Sequence, residues 1–228
     1  RALVAVQDHE GFSQFAIAST DASNPLPVEL ARFEAQRASE DAITVQWETL
    51  SETGNTGFEV QRRAAQVETS HWGASTTGNP AGASWTTIAR LQGAGTTDTP
   101  SFYRFEDADL PYAADSLAYR LRQVDTDGTA SVSEAVTIAR PVPSAELLPT
   151  YPNPARGQAT IRFAVPGRQD VRVVLYDLLG RRVQTVVDTK AEGRTEQTID
   201  VSRLASGSYF LRMQTTGHTE TQRLTVVR

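Results

Sequence analysis

Apolar and polar residues alternate with a period of two along most of the chain, and no stretch sustains the 3.6-residue stripe of a helix packed on one face. Ile43, Val45 and Trp47 fall on one side of an extended segment, with Thr44, Gln46 and Glu48 on the other. Leu117, Tyr119 and Leu121 stand opposite Arg120 and Arg122, and Ile161, Phe163 and Val165 repeat the pattern later. One apolar side and one polar side is what antiparallel strands show when one face meets a core and the other meets water. The pattern predicts seven strands at 28–37, 42–49, 57–64, 85–92, 101–107, 117–125 and 131–139. A second series follows at 159–165, 171–177, 182–187, 195–201, 207–212 and 223–228. Asp127-Gly128, Gly180, Ser206-Gly207 and Gly217 punctuate these runs, because tight turns need residues that accept positive φ.

The fold class this implies is all-β, with two consecutive antiparallel β-sandwich domains. Residues 140–148 bear prolines and no pattern, which suits a linker. Charge changes sign at the same place: residues 1–150 hold ten Arg against twenty acidic residues, whereas 151–228 hold twelve basic against seven acidic. The expected division is therefore a first domain at 24–139, a linker at 140–148 and a second domain at 149–228. Residues 1–23 read as the terminal hairpin of an upstream domain, and the start at Arg1, without a signal-like segment, makes the chain the C-terminal piece of something longer.

Resemblances sharpen both domains. Seven short strands over about 110 residues, Trp47 on an inward face, and Leu110-Pro111 ahead of Tyr119 as a tyrosine corner resemble an immunoglobulin-like, fibronectin type III domain. Trp47-Glu48-Thr49, Gly57-Phe58-Glu59-Val60 and Tyr119-Arg120-Leu121-Arg122 narrow that to the fibronectin-like modules of exported Bacteroidota-type proteins. In the second domain four motifs occur in order: Tyr151-Pro152-Asn153-Pro154, Tyr176-Asp177 with Gly180-Arg181, Ser206-Gly207-Ser208-Tyr209-Phe210, and Leu224-Thr225-Val226-Val227-Arg228. Together they resemble the type A C-terminal sorting domain of type IX secretion cargo. That resemblance implies Sec export followed by recognition at a type IX translocon. It also implies cleavage by a sortase-like peptidase, lipopolysaccharide attachment and a secreted or cell-surface, outer membrane-associated location. The residues it nominates for recognition are Tyr151, Pro152, Asn153, Pro154, Gly180, Arg181, Gly207, Tyr209, Leu224, Val226, Val227 and Arg228. A terminal edge strand with free N–H and C=O groups would suit such recognition by adding to a partner's sheet.

Composition changes this picture little. Hydrophobic residues make up 39%, charged residues 21%, and mean hydropathy is -0.36, as in an ordinary folded protein. No apolar run reaches membrane-spanning length, and the arginines alternate along strands rather than clustering with aromatics as nucleic-acid binding would require. Cysteine is absent, which excludes disulfides and thiolate metal sites. His9, His71 and His218 lack ligand spacing, and no nucleophile elbow or phosphate-binding glycine loop is present. Asp125, Asp127 and Glu134 match a calcium loop only weakly, and a hairpin turn accounts for Asp127-Gly128. The expectation is no enzyme activity, no cofactor and no metal. One alternative remains in the glycine- and serine-rich loop at 66–84, where Trp72, or Trp85 just after it, is a candidate glycan contact in an adhesion or carbohydrate-binding module of a surface enzyme.

Overall fold

A computed structural model describes residues 28–65 and 84–228. The hairpin expected in 1–23 and the loop carrying Trp72 lie outside the described residues. The described chain is all-β and falls into two units, one of residues 28–64, 84–110 and 116–138, the other of 111–115 and 139–228.

The first unit contains β1 (Val28–Arg37), β2 (Ile43–Ala65), β3 (Thr86–Thr97), β4 (Ser101–Asp107), β5 (Ser116–Asp125) and β6 (Ala130–Val132), with β7 (Val136–Ala139) at its end. The predicted strands at 42–49 and 57–64 are one continuous ribbon, β2. Its first half pairs with β1 and β4, and its second half pairs with β3. The change of partner falls where the register with β3 shifts, between Glu52 and Gly57. Such irregularities bend a strand without ending it. Gly57 is required at this bend, since a Cβ there would collide with the Leu91 carbonyl oxygen. Trp47 stacks on Tyr103 at 5.2 Å between ring centroids and meets Phe58 edge-on at 5.4 Å, so both halves of β2 share one aromatic core. At the predicted tyrosine corner the hydroxyl meets a carboxylate. Tyr119 Oη donates to the Asp107 carboxylate at 2.8 Å, and Arg62 binds the same carboxylate.

The second unit contains β8 (Glu146–Leu147), β9 (Tyr151–Arg156), β10 (Gln158–Tyr176), β11 (Arg182–Asp200), β12 (Gly207–Thr215) and β13 (His218–Val226). Here too, predicted pairs of strands fuse. The segments predicted at 159–165 and 171–177 join in β10, which ends at Tyr176, and those at 182–187 and 195–201 join in β11, which ends at Asp200, with a bulge between Val165 and Gln169 carrying the ladder through. The last strand begins at His218, five residues before its expected start, because it pairs with all of β12. Strand order is β11-β10-β12-β13-β9, and β9 returns to pair with β10. Ile161, Phe163, Val173, Leu175, Leu211, Met213, Leu224 and Val226 fill the core, each almost fully buried. Burying a side chain of this size stabilises by about 1.5–3 kcal/mol. Leu147, expected in a linker, is also buried in this core, and Glu146–Leu147 pairs with Ala164 and Phe163.

Candidate functional site

The four C-terminal motifs are far apart in sequence, yet the register of the second sheet gathers them at one end. Gly207 lies opposite Val226, and Val226 lies opposite Ala155, immediately after Pro154. Tyr176 pairs with Phe210, so the turn at 177–181 stands level with the start of β12.

Each motif is also a piece of local construction. The Arg162 guanidinium lies 4.5 Å from the Tyr151 ring centroid, and Arg162 is paired with Glu196 at 2.6 Å. The Tyr151-Pro152 and Asn153-Pro154 peptide bonds are both cis. Asn153 reaches sideways to the terminal strand. Its Nδ2 donates to the Arg223 carbonyl at 2.8 Å, and its Oδ1 accepts the Thr225 N–H at 2.9 Å. Ala155 extends the ladder by accepting the Val227 N–H at 3.0 Å. An asparagine amide carries the same donor and acceptor as a peptide unit, and here it replaces a stretch of ladder that proline cannot supply.

The expectation of a free terminal edge strand is therefore corrected for its last residues. β13 has β12 on one side and β9, with the Asn153 side chain, on the other. Its main chain is already paired because β9 arrives beside it in parallel. Further back along β13, Glu220 accepts the Leu147 N–H at 2.8 Å and Gln222 donates to the Leu147 carbonyl at 3.0 Å.

The turn after β10 is organised by Asp177. Its Oδ1 accepts the N–H groups of Leu179 and Arg181, both at 2.9 Å, and its Oδ2 pairs with Arg181 Nε at 2.7 Å. These bonds, led by that from the Arg181 N–H, hold the carboxyl below its ordinary pKa. Gly180 adopts φ +75°, a conformation that other residues rarely adopt. Tyr209 makes a backbone-directed tyrosine corner, donating to the Ala205 carbonyl at 2.9 Å.

Exposure divides the nominated residues. Tyr151, Pro152, Asn153, Pro154, Gly180, Arg181, Gly207 and Arg228 are exposed; Tyr209, Leu224 and Val226 are buried, and Val227 is half-buried. In the folded domain a partner can touch the first group and not the buried three. Sequence reasoning gave Asn153 no specific partner. The short polar side chain between two prolines, beside a strand needing partners, was the available signal.

Residues 149–227 match the model of the secretion system C-terminal sorting domain. The second unit carries a type IX sorting domain. It implies export through the type IX secretion system, interaction with that machinery, and a secreted or cell-surface protein. No curated protein matches the chain. Among solved structures it is similar to dimeric latent PorU from Porphyromonas gingivalis, with 16% identity and a TM-score of 0.31, over 89% of this chain and 20% of that one. The chain thus spans about a fifth of the length of PorU. It is also similar to the human OSCAR ligand-binding domain, with 16% identity and a TM-score of 0.27, over 85% of this chain and 96% of that one. A biofilm-associated protein BSP domain gives 14% identity and a TM-score of 0.26, over 87% of this chain and 29% of that one.

The first unit offers two features outside the sorting domain. Glu52 is 1% exposed and accepts four hydrogen bonds, from Thr49, Asn55, the Ala94 N–H and Tyr103, at 2.7–2.9 Å. Burial opposes its ionisation, yet the donors outweigh that and hold the pKa below the ordinary value. Trp85, the second glycan candidate, faces two cations, Arg63 and Arg120, at 4.7 and 4.3 Å from its ring centroid. Part of its ring surface is thereby engaged by guanidinium rather than left open for a sugar.

Proposed function

We propose that the sorting domain is read by the type IX translocon through the exposed members of its motifs, gathered at one end of the sheet. Tyr151, Pro152, Gly180, Arg181, Gly207 and Arg228 make the contacts. Tyr209, Leu224 and Val226 act indirectly, by holding that end in shape. The first unit is a non-catalytic, fibronectin-like spacer in a larger exported protein. A sortase-like peptidase then cleaves ahead of the domain, and lipopolysaccharide attachment follows. The observation that carries this reading is the convergence of four separated motifs on one end of a domain whose family match spans residues 149–227.

The test is secretion of a reporter fused ahead of the full chain in a type IX-competent bacterium. Deleting residues 224–228 is a blunt instrument, since it removes two core side chains, Leu224 and Val226, and so unfolds the domain. The discriminating variants are exposed: Arg181→Glu and Arg228→Glu are expected to leave the reporter periplasmic while the domain stays folded. Normal secretion of both variants would overturn the reading.

A further inference from the structure

One outward patch of the second sheet is neither polar nor balanced in charge. Cross-strand register places Arg182, Tyr176, Phe210 and Arg223 side by side across β11, β10, β12 and β13. In the row behind, Arg212 stands next to Val174. Just past Tyr176 the chain turns through Leu178 and Leu179, 67% and 78% exposed. Scattered exposed leucines need no explanation, but here two adjacent ones stand at a turn apex just past Tyr176, whose cross-strand partner Phe210 is also exposed. Arg182, Arg212 and Arg223 have no side-chain partner among the described residues, whereas Arg162, Arg172 and Arg181 are ion-paired.

Two properties indicate what fits there. The first is that three N–H groups of the apex are bonded within the turn. Asp177 takes up the N–H groups of Leu179 and Arg181 on its side chain and that of Gly180 on its carbonyl. Three amides bonded in this way lower the cost of entering an apolar phase, where each free N–H would cost several kcal/mol. The second is the order of chemistry behind it: leucines at the tip, aromatic rings next, and guanidinium groups flanking those rings. Aromatic rings favour the boundary between water and hydrocarbon, and long arginine stems let the charged head reach a phosphate while the stem stays in apolar surroundings. We propose that this face docks the folded domain peripherally on an anionic lipid surface. Leu178 and Leu179 enter the acyl boundary, and Arg182, Arg212 and Arg223 meet lipid phosphates. A protein groove could receive the leucines, but unpaired arginines on both sides of the aromatic pair suit a plane of negative charge that surrounds the tip. Docking needs only the folded domain and lipid, so it stands or falls independently of translocon recognition.

Sedimentation with vesicles tests it, using the full chain with phosphatidylcholine alone or with equal parts phosphatidylcholine and phosphatidylglycerol. The chain is expected to bind the mixed vesicles, and binding should weaken as salt is raised. Leu178→Ser combined with Leu179→Ser should lower the partition coefficient by about tenfold or more, given the apolar area withdrawn. Arg182→Ala combined with Arg223→Ala should abolish the preference for the anionic vesicles. These side chains are exposed, and an unchanged circular dichroism spectrum verifies the fold of each variant. Equal binding to both vesicle types, no binding to either, or variants that bind like the parent would overturn the proposal. So would retention on detergent-solubilised outer-membrane protein by a chain that ignores vesicles. A leucine variant that loses vesicle binding while its reporter is still secreted supports lipid docking without touching the export reading.

Discussion

Each unit stations a carboxylate where its chain changes direction, and the two are built in opposite ways. Glu52 sits at the bend of β2, is buried, and draws donors from β2, β3 and β4, up to 51 residues away in sequence. Asp177 sits half-buried just past the end of β10 and, among the described residues, binds donors within the next four residues. A buried charge must be matched completely because water cannot help it; one that water reaches needs only to shape its own turn. The bend at Glu52 is therefore bound into the folding of the whole first unit, and the turn at Asp177 is nearly autonomous. Removing Glu52 should test this most severely. Glu52→Ala leaves four donors facing a cavity and should lower the stability of the first unit by about 3 kcal/mol. Urea unfolding followed by the near-ultraviolet dichroism of the Trp47–Tyr103 stack measures it, and a loss below about 1 kcal/mol would show that water enters and replaces the carboxylate.

Asn153 is intermediate between the two. It lies at the surface, unlike Glu52, but bonds across 70 residues of sequence as Glu52 bonds across 51. Asn153→Ala should cost about 1 kcal/mol, the net value of two hydrogen bonds partly replaced by water. The local readout is sharper: the Thr225 amide should lose hydrogen-exchange protection, whereas amides of β12 should keep theirs. Uniform loss of protection across β12 and β13 would mean that Asn153 supports the whole domain rather than one strand.

Local chemistry was legible in the sequence and non-local closure was not. Strands β1 and β4 match their predicted bounds because alternation and turn residues are properties of short windows. The core positions of Trp47, Phe163 and Leu224 follow from the same alternation. Fusion of paired segments into β2, β10 and β11 escaped notice, since a bulge reads as a break when the partner strand is unseen. β8 escaped because two residues carry no periodicity. The pairing of β9 with β13 escaped because prolines argue against strand ladders, and only the fold reveals that an asparagine side chain stands in. Among the candidate site residues, the motifs were legible from order and spacing. Which of them face solvent was not, because exposure depends on which strands lie alongside.

Titration separates the regions further. Tyr103 is pushed up to about 12, first by burial and then by its hydrogen bond to Glu52. A raised pKa in the folded state means that this contribution to stability is complete below the ordinary tyrosine value of about 10 and fades as pH rises through about 12. Phenolate absorbance of the parent minus that of Tyr103→Phe should therefore show a transition near 12. A difference centred at the ordinary value would dissolve the coupling to Glu52.

The smallest effect is expected at Asp177, and it completes the contrast. Both Glu52 and Asp177 have depressed pKa values, so each contributes fully above the ordinary carboxylate range of about 4, and the contribution is lost as pH falls through the folded value. For Glu52, loss of the charge unties strands from three parts of the sequence, and the aromatic signal of the first unit should go with it. For Asp177, protonation loosens only bonds within its own turn, those to the amides of Leu179 and Arg181 and the pair with the Arg181 guanidinium. Asp177→Ala should therefore leave the melting temperature of the second unit unchanged within error, while those two amides exchange faster. A clear fall in melting temperature would show that the turn is needed to hold β10 against β11, and that its autonomy is false.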